Sequence, residues 1–172
     1  FRSAVRYQPD DLWIRYNLTE GLVDLGLYDE AVDSARLIIK KNPDHALAWA
    51  KLGQALRYLK RSEEALVAYN RAIALQPGYT WAINGRGIVL EQLGRLEEAW
   101  QAYMQAAQTA GADVWTWYNV GNVLSLMNRH EEAIEALEHA LTIDPTHART
   151  WARLGATYRV LGRMEDAVNA FN

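Results

Sequence analysis

Alanine recurs at positions 31, 65, 99, 133 and 167, always 34 residues apart. A fixed period of this size marks stacked supersecondary units, none of which can bury its apolar side alone. Other landmarks keep the same phase. Counting each unit from residues 12, 46, 80, 114 and 148, the fourth position holds Arg15, Trp49, Ile83, Trp117 and Trp151. The eighth holds Thr19, Gly53, Gly87, Gly121 and Gly155, and the twenty-fourth holds Ala35, Tyr69, Tyr103, Leu137 and Phe171. Pro43, Pro77 and Pro145 close units, Gly111 replaces the expected proline once, and Pro9 stands one period before Pro43. The spacing predicts five units, at 12–45, 46–79, 80–113, 114–147 and a partial 148–172, preceded at 1–11 by the remnant of an earlier second helix.

Within a unit the apolar spacing is helical twice over. In the second unit Trp49, Leu52, Leu56 and Leu59 form one stripe, and Ala65, Leu66, Tyr69, Ala72 and Ile73 form another. Gly26, Lys60, Gly94, Asn128 and Gly162 occupy the break between the stripes, where a left-handed residue would close the first helix. Acid pairs follow at once: Asp29-Glu30, Glu63-Glu64, Glu97-Glu98, Glu131-Glu132 and Glu165-Asp166. Carboxylates in a first turn favour the positive end of a helix, so these acids are expected to serve the second helices. Small residues at positions 8 and 20 let paired helices approach, and bulky residues at positions 4 and 24 fill the space around them.

Composition narrows the function. The chain has 172 residues, 50% of them apolar and 23% charged, and a net charge of −3, which argues against a nucleic-acid binder in need of a concentrated basic face. With no cysteine there is neither a thiolate nucleophile nor a zinc-cysteine site. No apolar run approaches the roughly 20 residues of a membrane span, and no signal peptide opens the chain, so the default expectation is a cytoplasmic protein. His45, His130, His139 and His147 lack metal-ligand spacing and read as loop or surface residues. Gly85-Arg86-Gly87 lies inside a helical stretch, so it is not a phosphate-binding loop. No catalytic constellation, cofactor site or metal site is expected, and the chain is not expected to be an enzyme.

Trp49, Leu52, Gly53, Ala65, Tyr69 and Pro77 together resemble the tetratricopeptide repeat pattern of Trp-x-x-Leu-Gly-x-x-Tyr, then Ala-x-x-x-Phe, then Pro. The resemblance covers essentially the whole chain. It implies an all-α fold, a right-handed superhelical solenoid of antiparallel helix pairs, that serves as a protein-interaction scaffold with a concave groove lined by first helices. A regulatory or substrate-recruiting domain of a larger multidomain enzyme is the alternative it leaves open.

The resemblance assigns groove positions to residues of this chain. Position 2 carries Trp81, Trp115 and Arg149, position 6 carries Lys51, Asn119 and Arg153, and position 12 carries Arg57 and Arg159. Asn122 lies beside them. Family members that grip a partner's terminal carboxylate use Lys and Asn, then Asn, then two basic residues. Asn119, Arg149 and Arg153 match the last three, whereas Asn84 and Ile88 stand where the first two should be. The expected partner is therefore a protein or peptide segment, including one bearing acidic groups at Arg149, Arg153 and Arg159. Trp49, Trp117 and Trp151 are expected to pack in the core.

Two further expectations concern irregularities. In the third unit Arg86 takes a core position and Gly85 removes a groove side chain, which suggests either a recess for a partner or local repair. Phe1, Ala4 and Pro9 at one end, and a stop inside the last second helix, leave the stack without polar caps, which suggests a piece of a longer array or larger protein, or alternatively head-to-tail self-association.

Overall fold

The computed structural model describes residues 11–171, so the expected remnant at 1–11 lies almost wholly outside the described residues. Ten helices are formed among them, in two compact units, the chain dividing between Leu93 and Gly94. The first unit holds α1 (Leu12–Asp24), α2 (Tyr28–Lys41), α3 (Ala46–Tyr58), α4 (Ser62–Leu75) and α5 (Thr80–Gln92). The second holds α6 (Leu96–Ala107), α7 (Val114–Leu126), α8 (His130–Ile143), α9 (Ala148–Val160) and α10 (Met164–Phe171). The fold is an all-α solenoid of helix-turn-helix pairs. In the first unit each helix packs on its neighbours in sequence, and α3 also touches α1 and α5. In the second unit α7 likewise touches α9.

The turns follow from backbone sterics. Gly26, Lys60, Gly94, Asn128 and Gly162 have φ of 74°, 62°, 73°, 59° and 73°, the left-handed conformation that ends a helix sharply. Lys60 adopts it against the steric preference of an L side chain. Helix starts are capped in several ways. Asp11 accepts from the amides of Trp13 and Ile14, and Asp113 from the amide and hydroxyl of Thr116. His45 Nδ1 accepts from the Ala48 amide at 3.2 Å. His45 and His147 are half-buried residues of the loops between units, the latter with Nδ1 at 2.6 Å from Thr150 Oγ1.

The acid pairs do more than meet a helix dipole. The second acid of four pairs is held by the arginine three residues earlier: Arg61 on Glu64, Arg95 on Glu98, Arg129 on Glu132, and Arg163 on Asp166. In the first three the guanidinium is bidentate, with Nε and Nη2 both 2.6–2.7 Å from the carboxylate. Arginine's fork fits a carboxylate in this way, and the fixed spacing of three residues was legible in the sequence. Hydrogen bonding from Arg61 and Arg129 holds the Glu64 and Glu132 carboxyls below the usual range.

Helix pairing is set by the size of two positions. Ala31, Ala65, Ala99 and Ala133 are fully buried, and Ala167 nearly so. A Cβ at Gly53 would stand 3.0 Å from the Tyr69 ring, one at Gly121 2.5 Å from Leu137 Cγ, and one at Gly155 2.7 Å from Phe171. The first helix therefore gives up its side chain at position 8 so that the residue at position 24 can enter. The first repeat reverses the sizes: Thr19 is fully buried opposite the small Ala35, and its hydroxyl donates to Ser34 Oγ at 2.8 Å.

Gly85 belongs to the same logic. A Cβ there would lie 2.5 Å from Cε1 and Cζ of Tyr69, so the space is filled from within and is not a recess for a partner. The tryptophans also differ from expectation. Trp49 and Trp117 are half-buried and Trp151 is 38% exposed, much like Trp81 at 38%. These position-4 rings lie at a margin because their indole N–H groups must reach a carbonyl: Trp49 and Trp151 donate at 2.8 Å to the backbone oxygens of Pro43 and Pro145.

Candidate functional site

In the first unit the first helices α1, α3 and α5 lie side by side, and they set Arg57 and Trp81 against one buried ring with Lys51 over Trp81. Tyr69, reaching up from α4, is 1% exposed. Trp81 meets it edge-on at 6.3 Å, and Arg57 hydrogen-bonds its phenol while lying 4.2 Å over the ring of Tyr58. Burial pushes the Tyr69 phenol far above its ordinary value, so it remains a neutral donor and acceptor.

Lys51 is not a free cation. Its Nζ is 2.8 Å from Glu20 Oε1, its side chain is only 12% exposed, and the same nitrogen lies 5.0 Å from the Trp81 ring centre. Tyr79 stacks on Trp81 at 6.0 Å, its phenol pushed up to about 12 by burial and by the nearby Tyr16 and Glu20. The surface is aromatic, and its lysine is paired internally with Glu20. Glu20, Tyr16 and Tyr79 escape a reading by frame position, because Tyr16 and Glu20 come from the first unit, Tyr79 from the end of the second and Trp81 from the third.

In the second unit the first helices α7 and α9 are in contact. Trp115 is 43% exposed and has three neighbours: the His147 ring at 4.4 Å, Tyr118 at 6.0 Å and the Arg149 guanidinium at 5.3 Å. An arginine over an indole face is attracted by the ring quadrupole and kept from collapsing elsewhere. Arg153, half-buried, follows one turn along α9 from the exposed Arg149. Arg159 lies at the exposed C-terminal end of the same helix. Asn119 is half-buried, whereas Asn122 is only 8% exposed, within the buried side of α7.

Of the residues placed on groove positions, the structure brings Lys51 against Trp81 in one unit and Arg149 against Trp115 in the other. His147 is the contributor that frame position did not reveal; its ring nitrogen meets the Thr150 hydroxyl and its ring meets Trp115. Among the described residues, no group of three or more His, Asp or Glu could hold a metal ion, and no helix is long and apolar enough to cross a membrane.

Comparison with known proteins agrees with this architecture. Models of the tetratricopeptide repeat match residues 16–80 and 114–147. The peroxisomal targeting signal receptor of Candida glabrata is 42% identical over 45 residues, which are 26% of this chain and 8% of the receptor; the chain therefore spans a small fraction of that relative's length. The structure of Pseudomonas aeruginosa pilF superposes with a TM-score of 0.86 at 20% identity, over 92% of this chain and 72% of that one. YrrB, described as a tetratricopeptide repeat protein with an unusual peptide-binding site, superposes with a TM-score of 0.74 at 18% identity, over 98% of this chain and 87% of its own. At these identities the structural matches speak for the fold.

Proposed function

This chain belongs to the tetratricopeptide repeat family, and from that premise we propose that it is an interaction scaffold which holds a peptide or protein segment against its first helices. The single observation that carries the reading is the seating of Arg149 over Trp115 with Arg153 one turn further on: an anchored ring beside two cations on one helix. A carboxylate is the natural complement, since a guanidinium already supported by an aromatic face loses little freedom on binding it. In the first unit Trp81, Tyr79 and the Lys51–Glu20 pair present an aromatic surface, suited to an apolar or amphipathic stretch of partner. YrrB's peptide-binding site is in keeping with this use of the fold.

The test is titration of a fluorescent peptide ending in two acidic residues and a free carboxylate. Binding that weakens with salt, and that is lost in the Arg149→Ala/Arg153→Ala double variant, is the expected result. Affinity indifferent to both rejects the reading.

A second reading, head-to-tail association of copies, is favoured by one surface of the second unit. Ala148, Trp151, Ala152, Ala170 and Phe171 line a shallow apolar depression there, and Phe171 is 55% exposed. Sedimentation that is independent of concentration rejects it.

A further inference from the structure

The face built by second helices holds a cleft that the preceding function does not use. In the first unit α2 and α4 both pack on α3 and leave between them a cavity of about 400 Å³, within the range of roughly 300–1,000 Å³ typical of binding pockets. Trp49, Leu52 and Leu56 of α3 form its floor. Arg36 and Lys40 of α2 stand on one wall, and Glu64 and Val67 of α4 on the other. Val67 is 66% exposed, a large apolar group on the rim.

The second unit contains the same cleft three periods on, and the comparison shows what is particular to the first. There α8, α9 and α10 enclose about 480 Å³ over a floor of Trp151, Leu154 and Tyr158. Glu138 replaces Arg36, Thr142 replaces Lys40, and Asn169 replaces Val67. The Tyr158 hydroxyl donates to Glu138 Oε1 at 3.0 Å, tying floor to wall. That cleft is polar and acidic at its rim; the first is apolar and basic.

The basic character of the first rim survives its ion pairs. Glu64 is held bidentately by Arg61 at 2.7 Å, so its charge is already neutralised before Arg36, 3.7 Å away, is counted. Lys40 is exposed. Arg71, one turn beyond Val67 on α4, pairs with Asp44. Two positive charges thus remain beside an apolar floor.

We infer that this cleft docks an amphipathic acidic helix of a partner protein, which inserts a bulky apolar side chain between α2 and α4 over Trp49 and Leu56 and sets carboxylates against Arg36 and Lys40. The walls are two helices, so a third helix laid between them buries an apolar stripe in the same way as its neighbours. The surface is separate from the first-helix rows, and the proposal stands or falls without them.

The probe is a blocked peptide with Leu and Phe at spacings of three and four and Glu at the intervening positions, titrated into the ¹⁵N-labelled 172-residue chain. A scrambled peptide and one with Lys in place of Glu serve as controls. Expected are a shift of the Trp49 indole N–H with the Trp81 and Trp151 indoles unmoved, and no binding of either control. Val67→Glu, at an exposed position that leaves folding intact, should weaken binding by about tenfold or more through a buried like charge. Arg36→Glu/Lys40→Glu should abolish it, and Lys51→Ala/Trp81→Ala should leave it unchanged, which separates failure here from failure of the first-helix reading.

Equal binding of the Lys peptide, absence of binding at millimolar peptide, or shifts centred on Trp81 or Trp151 would each overturn the proposal. So would self-association of the chain that Val67→Glu removes in sedimentation velocity, because the occupant would then be a second copy.

Discussion

Gly85 lies directly under the phenol of Tyr69, so close that a Cβ would sit 2.5 Å from two ring carbons and 2.8 Å from the hydroxyl oxygen. Tyr69 is nearly fully buried and supports both Trp81 and Arg57, so this contact between α5 and α4 fixes the aromatic surface of the first unit. Gly85→Ala should cost about 1–3 kcal/mol by overpacking. Tyr69→Leu in the same chain should recover part of that loss, since Leu137 shows that leucine is accepted at this position. Additive urea-unfolding costs for the two substitutions would contradict the contact.

The alanine that defines the period is predicted to be the least tolerant position of each helix pair. Ala65 and Ala133 have no accessible surface. Replacing either with leucine should lower stability by about 1–3 kcal/mol, because the added atoms have no space without helix displacement. Unchanged melting of both variants would mean that the helices do not approach as closely as described.

Lys60 pays for its turn with a left-handed backbone at φ of 62°. Lys60→Gly should stabilise the chain by about 0.5–1 kcal/mol, the relief of steric conflict exceeding the added freedom of the unfolded state. Asn128→Gly, at φ of 59°, should gain less, since asparagine tolerates this region. Equal gains, measured by chemical denaturation, would show that side-chain sterics do not govern these turns.

The arginine forks predict the direction of acid sensitivity. Hydrogen bonds from Arg61 and Arg129 depress the Glu64 and Glu132 carboxyls, and bonds from Thr146 depress Asp144. A carboxyl whose folded value lies below its unfolded one contributes stability above the ordinary carboxylate range and loses it as pH falls through the depressed value. The urea midpoint should therefore fall as pH drops from about 5 toward 3. Arg61→Gln/Arg129→Gln should flatten that fall; because the groups are exposed, the change should be small. A slope identical to the parent's would assign acid sensitivity to other groups.

Periodicity alone determined that this chain forms paired helices, where they begin and turn, and which residues meet at each pairing. Those are local or nearest-neighbour properties: an alanine every 34 residues, a glycine or asparagine at most breaks, a large residue opposite a small one. Even the arginine forks could have been found as a spacing of three. Tertiary structure decided what each surface residue is free to do. Lys51 reads as a groove cation until Glu20, from the preceding repeat, is found 2.8 Å away, and Gly85 reads as a gap until Tyr69 fills it. Two clefts with the same frame positions differ in sign because Arg36 and Glu138 exchange roles on the rim. Such outcomes depend on which side chains from separate repeats share a volume and a charge, and distance in space is not encoded in the phase of a repeat.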